Sequence, residues 1–164
     1  MTAIGAPAHL LTHLELVAEA ASELVSALSG FSGLVFDAQV MEVGAAVHGA
    51  GKIVVPSELY GPGKEHEAAG YELLMAHGVI QKIAQCCVSH GNYHVNGVTL
   101  EERLVALADS IWKGKRNQAL ESLIIDEIAE QVSSDEWSVF IMLDDAFEAI
   151  AARGDERLAR SRSA

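Results

Sequence analysis

Leu10, Leu14, Val17, Ala21, Leu24 and Leu28 recur at intervals of three and four residues, the spacing of a single apolar stripe, and predict an amphipathic helix from about Ala8 to Ser29. Gly30, Ser32 and Gly33 end it. Asp37 carries a side chain suited to accept from the free amides of a helix start, and Val40, Val43 and Val47 behind it predict a second helix that reaches His48. From Gly51 to Gly63 two prolines, Pro56 and Pro62, and the glycines interrupt any helical pattern, so an ordered loop is expected there. Within it, Ile53-Val54-Val55 is too short and too close to proline to be more than the edge of a loop.

The helical spacing resumes at Glu65, runs through Leu73 and Leu74, pauses at His77-Gly78 and restarts through Ile80, Ile83 and Ala84 towards His90. Gly91 to Val98 is polar and turn-rich. Thr99-Leu100-Glu101-Glu102 has the spacing of a capping box and opens a helix carrying Leu104, Leu107, Ala108, Asp109 and Ile111. Leu120 to Val132 predicts the next helix, and Ser133-Ser134-Asp135-Glu136 reads as a second capping box opening a last one through Phe140, Leu143, Phe147 and Ile150. The pattern is all-α: a single helical bundle of about six or seven helices over residues 1–156, followed by a polar tail at 157–164. No repeat or linker divides it.

Composition narrows the function classes. A chain of 164 residues, 50% hydrophobic, can bury one sizeable core. The formal net charge of −12 repels polyanions and argues against non-specific nucleic-acid binding. No apolar run is long enough to span a bilayer and no signal-like start opens the chain, so neither a membrane partner nor secretion is expected. The two cysteines, Cys86 and Cys87, are adjacent and poorly placed for a disulfide, which suits a reducing compartment and predicts a cytoplasmic protein with both thiols buried.

The chemistry centres on histidines. His48 ends an apolar helix just before a glycine-containing turn, where an imidazole can point into a cavity while its backbone is held by packing, and neutral imidazole ligates zinc, iron, manganese or nickel. His48-Gly49-Ala50-Gly51-Lys52 resembles the His-Asp-x-Gly-Lys signature of HD-domain phosphohydrolases. The resemblance extends from about Leu11 to Lys115 through Pro56, Glu58-Leu59, His66-Glu67-Ala68-Ala69-Gly70, His90 and Ala106-Leu107-Ala108-Asp109-Ser110. It implies an HD-domain-like fold and a site for one or two divalent ions, with manganese, iron, nickel, magnesium and zinc not distinguished. His13, His48 and Asp109 would hold the first ion and His66 and His90 the second. By the same resemblance Lys52 and Asp109 take catalytic roles, and the substrate is a small phosphorylated molecule or a nucleotide.

Gly49 departs from the signature. The family's aspartate offers an anionic oxygen to the ion, whereas glycine offers no side-chain donor, so metal affinity and turnover should both suffer. Lys113, Lys115 and Arg116, with Lys52, form a basic group in an acidic chain and could bind a phosphoester, although cations also suit a helix C-terminus. His9 and His13, and Cys86 and His90, share a four-residue spacing but make weak metal signals on their own. Glu67 is expected to be solvated, His77 and His94 to lie at the surface or a helix end, and Trp112 and Trp137 to pack as core or interhelical aromatics. Three functions fit: a metal-dependent phosphohydrolase, a non-catalytic HD-domain binding or regulatory protein, and a di-iron oxygenase.

Overall fold

A computed structural model describes Met1 and residues 5–163. Among these, seven helices of at least nine residues, two single-turn helices and two 3-10 turns account for the regular structure, and no strand occurs. The apolar stripe forms α1 (Ala8–Leu28), and Leu10, Leu14, Val17, Ala21, Leu24 and Leu28 are all buried. α2 (Ala38–Val47) starts where Asp37 accepts from the Val40 amide at 3.0 Å, and His48 is its C-cap. The proline-containing segment becomes two 3-10 turns, Ala50–Ile53 and Pro56–Leu59, so Ile53-Val54-Val55 is not a strand edge.

α3 (Glu65–Ala76) ends at His77, with Gly78 in the left-handed region. The stretch towards His90 divides into α4 (Gln81–Ala84) and α5 (Cys86–Ser89). α6 (Leu100–Ile111) opens with the expected box: the Thr99 hydroxyl accepts from the Glu102 amide, and Glu102 reaches back to the Thr99 amide at 2.7 Å. Such caps contribute about 1 kcal/mol. α1, α2 and α6 pack on one another and carry most of the core around Val17, Leu24, Met41, Leu104 and Leu107, while α7 (Gln118–Val132) and α8 (Glu136–Ala152) close its far side. A smaller apolar cluster of Ala50, Leu74, Ala84 and Cys87 holds the first 3-10 turn against α3 and the short helices.

Three expectations need correction. Ser133 does not open a capping box. It is the left-handed C-cap of α7 (φ 53°), and Asp135 caps α8 instead by accepting from the Ser138 amide at 3.0 Å. The expected tail at 157–164 is a helix over most of its length, α9 (Gly154–Arg162); Ala164 lies outside the described residues. It is ordered because Arg157 is fully buried, donating to the Ile150 carbonyl at 2.8 Å and to Glu23 at 2.6 Å, with Arg160 reaching Glu19 at 2.7 Å. Trp137 is not a packing aromatic: it is 67% exposed and stacks on Phe140, whereas Trp112 is buried as expected. No helix among the described residues is long and apolar enough to cross a membrane.

Candidate metal centre

Three helices meet at one point. α1 presents His13, the end of α2 presents His48 and α6 presents Asp109, and the Asp109 Oδ1 lies 3.4 Å from the Nε2 of both histidines. That separation is longer than the usual 2.7–3.2 Å of an N–H···O bond. It matches two donors held by one ion: ligand atoms each about 2.1 Å from a cation, at a tetrahedral angle, stand about 3.4 Å apart. One donor atom from each of His13, His48 and Asp109 lies within 4.8 Å of the others. Two imidazoles and a carboxylate form a donor set for first-row divalent metals, so the residues present fit such an ion.

The histidines continue from this group in a row. His48 and His90 stand 4.9 Å apart between ring centroids, and His90 and His66 stand 5.7 Å apart. His13 is flanked on its other side by Trp112, edge-on at 5.3 Å. The five side chains named from the sequence, His13, His48, His66, His90 and Asp109, therefore come together at one place, supplied by α1, α2, α3, the end of α5 and α6.

Ring orientation is set from behind. His48 Nδ1 donates to the Ala45 carbonyl at 2.8 Å and His90 Nδ1 to the Cys86 carbonyl at 3.1 Å. A carbonyl only accepts, so the proton sits on Nδ1 and Nε2 keeps its lone pair for a ligand. His66 is anchored differently: its Nδ1 donates to the Glu58 carboxylate at 2.5 Å. Glu58 also accepts from the amides of Glu65 and His66, at 3.0 and 3.1 Å. Burial works to raise its pKa, and the hydrogen bonds from His66 and these amides overcome that and hold it below the ordinary carboxylate range.

Burial keeps His13 and His90 neutral. It pushes the pKa of His13 down to about 3, with His48 adding to the effect and Asp109 opposing it, and that of His90 to about 4 in the same way. Burial would raise the pKa of Asp109, but the adjacent His48 and His13 and the more distant Lys113 outweigh it, and the carboxyl stays ionised well below the usual range. At neutral pH His13 is thus a neutral donor and Asp109 an anion, the protonation states a cation requires of them.

These shifts carry a pH signature. An unfolded imidazole titrates near about 6.5, so between there and pH 4 the unfolded chain binds protons that the folded chain refuses at His13 and His90. Stability from these groups is complete above pH 6.5 and falls as the pH drops. The loss should reach a few kcal/mol by pH 4, with Asp109 adding its own loss only below the ordinary Asp value of about 3.8. In the metal-free protein, Tm should decline from pH 7 to pH 4, and a His13→Gln/His90→Gln variant should flatten the decline. A wild-type Tm unchanged across that interval would contradict it.

The basic group divides. Lys52, in the first 3-10 turn, and Lys113, next after Trp112, each add a little to the lowering of the His13 pKa through their charge. Lys115 is exposed, and its carbonyl accepts from the Ser110 hydroxyl. Arg116 does not join them: it holds Glu121 through two bonds of 2.8 Å and Asp144 at 2.7 Å, and lines a cleft of about 690 Å³ along α7 and α8 that none of the five site residues lines. Two carboxylates claim its planar fork, so it is not available to a phosphate at the histidines.

Position 49 is informative in detail. Gly49 has φ −88° and ψ 11°, a conformation open to any residue, so the backbone does not require glycine there. A Cβ would meet Leu14 Cδ2 at 3.3 Å and Leu10 Cδ1 at 3.5 Å, on the helix that carries His13. The side chain would thus leave the backbone towards α1. Gly51 is different: a Cβ there would lie 1.8 Å from the His66 carbonyl oxygen and 2.5 Å from the Gly70 nitrogen. The turn and α3 touch backbone to backbone at His66 and Gly70, which fixes where α3 presents His66.

Two buried carboxylates escaped the sequence reading. Glu67, expected to be solvated, is buried and accepts from Asn92 Nδ2 at 3.1 Å, tying α3 to the loop after His90. Glu58 lay in a loop with no spacing to connect it to His66. The nearest available signal was Gly63, where a Cβ would lie 2.1 Å from Glu58 Oε1. Cys86 and Cys87 are free and buried, with pKa values pushed up to about 12 by burial, so neither is a thiolate donor at neutral pH. His9 stacks on Tyr60 at 4.8 Å and stays outside the group of three donors, while His77 and His94 are exposed as expected.

The fold is all-helical, with a histidine–carboxylate cluster where α1, α2 and α6 meet. Residues 10–112 match the HD domain, well over half the chain, and the protein belongs to the HD-domain family. No curated protein and no solved structure matches it significantly.

Proposed function

We propose that this chain is a metal-dependent phosphohydrolase of a small phosphorylated molecule or nucleotide whose activity is held down by Gly49. The observation that carries the reading is the pair of 3.4 Å separations that set Asp109 between His13 and His48 with no hydrogen bond of ordinary length joining them. His13, His48 and Asp109 would hold the first cation, and His66 and His90, with Nε2 free, a second. Bound there, a divalent cation lowers the pKa of water and polarises a phosphoryl oxygen. Asp109, ionised throughout the neutral range, supplies the anionic side of the site and orients water. Lys52 and Lys113 offset the charge of the phosphoryl group, and Trp112 and the buried His48 limit access of bulk water to one side.

A second reading is favoured by position 49. Leu10 and Leu14 stand where the signature carboxylate would begin, and a scaffold that binds phosphate without hydrolysing it is what such a replacement would leave. Phosphate binding and turnover separate the two. Titrating inorganic phosphate or a nucleoside monophosphate into the metal-loaded protein should shift the resonances of Lys52 and Lys113. Lys52→Ala and Lys113→Ala should each weaken binding by about tenfold, the scale of one charge-assisted hydrogen bond. Lys115→Ala and Arg116→Ala should leave binding unchanged. Phosphate release with binding supports the hydrolase, binding alone supports the scaffold, and no shift at either lysine rejects both.

A further inference from the structure

Glu58 has more contacts than a loop carboxylate needs. It is buried in the second 3-10 turn, caps the start of α3 through the amides of Glu65 and His66, and grips His66 Nδ1 at 2.5 Å. Gly63 leaves room for this arrangement: a Cβ there would lie 2.1 Å from Glu58 Oε1, so the carboxylate would have to move. Among the described residues, His48 and His90 are held from behind by neutral carbonyls of their own helical turns, whereas His66 is held by an anion from another element. A carboxylate behind an imidazole fixes the Nδ1–H tautomer, raises the donor strength of Nε2 and adds negative charge one ring away from whatever Nε2 binds.

The charge distribution makes this consequential. The cation site at His13, His48 and Asp109 has one carboxylate, and Gly49 contributes none. The neighbouring His66 and His90 contribute no anionic ligand atom. We propose that Glu58 is the positioning residue of a second cation site at His66 and His90: it locks the His66 ring with Nε2 towards His90 and supplies the anionic charge that this half of the cavity lacks. The inference rests on the metal-dependent reading given above, but not on turnover. A chain that binds two ions and hydrolyses nothing would refute the hydrolase and support this assignment.

Two measurements test it, and the first needs no variant. Long-range proton–nitrogen NMR of the metal-free protein at neutral pH should show His66 as the Nδ1–H tautomer, with Nε2 unprotonated; a dominant Nε2–H form would overturn the proposal. Second, zinc binding followed by calorimetry should resolve two events in the wild type. Glu58→Gln should weaken one of them by roughly 10–100-fold, the usual cost of removing such a partner, and leave the other unchanged. The variant should also lose the single His66 tautomer while the His48 and His90 signals stay in place, which separates a positioning role from loss of the α3 cap. His66→Gln should abolish the same event that Glu58→Gln weakens. A single binding event in the wild type, equal weakening of both events, or a Glu58→Gln protein with unaltered second-ion affinity would each overturn it.

Discussion

Gly51→Ala should be among the most damaging single-methyl additions available in this chain. The added carbon would fall 1.8 Å from a carbonyl oxygen and 2.5 Å from a backbone nitrogen of α3, and neither atom can swing aside as a flexible side chain could. Overpacking costs about 1–3 kcal/mol where side chains can adjust, and a backbone clash belongs at or beyond the top of that range. The expected result is a loss of about 3 kcal/mol and a fall in Tm of roughly 10 °C for a domain of this size. The functional loss should exceed the loss of stability, because the oxygen that must retreat belongs to His66. Gly30→Ala is the control: its Cβ would meet its neighbours at 3.7 and 3.9 Å, ordinary contact distances. Thermal denaturation and the histidine NMR spectrum of the two variants check this. Equal Tm values with an undisturbed His66 would contradict it.

Most helices were legible because their signals are short-range. The stripe of α1, the Asp37 cap of α2 and the Thr99–Glu102 box of α6 each depend on residues within a turn or two of one another, and each formed as read. What the sequence obscured depends on partners far along the chain. α9 has few apolar residues and is fixed by Arg157 and Arg160 meeting Glu19 and Glu23 on α1, more than 130 positions away, which no local pattern reveals. Ser133 and Asp135 both sit before α8, and the choice between them turned on Ser133 adopting a left-handed conformation to end α7.

The site divides along the same line. His13, His48, His66, His90 and Asp109 were recognisable by order and spacing, and the fold gathers them. Arg116 was grouped with Lys113 by proximity in sequence, but Glu121 and Asp144 turn it onto α7 and α8. Glu58 was invisible as a partner of His66 because the 3-10 turn that returns it beneath α3 is set by Pro56 and the close packing at Gly63, not by a periodic signal.

Gly49→Asp carries the largest expected gain. The backbone there already suits aspartate, and the incoming Cβ needs the Leu14 methyl to yield by a few tenths of an ångström, which a flexible leucine end can do. The variant should therefore fold, with a stability cost of about 1 kcal/mol or less in the metal-free state. Its side chain would start against Leu10 and Leu14 on α1, the helix that carries His13, and its carboxylate would bring a second anion to a site that has one. Because a lost direct ligand costs more than the 10–100-fold typical of an outer partner, restoring it should raise divalent metal affinity by at least that factor. Gly49→Ala fills the same space against Leu10 and Leu14 without a donor, and should leave metal affinity where it was.

The measurement that bears most directly on the proposed function compares wild type, Gly49→Ala and Gly49→Asp side by side: metal content of the purified chains, then phosphate release from a panel of nucleotides with manganese, iron, nickel or magnesium supplied. The account predicts low metal occupancy and slow or absent turnover in the first two, and raised occupancy with measurable phosphate release in the third. Equal occupancy and equal turnover in all three would contradict it, and position 49 would have no part in metal binding.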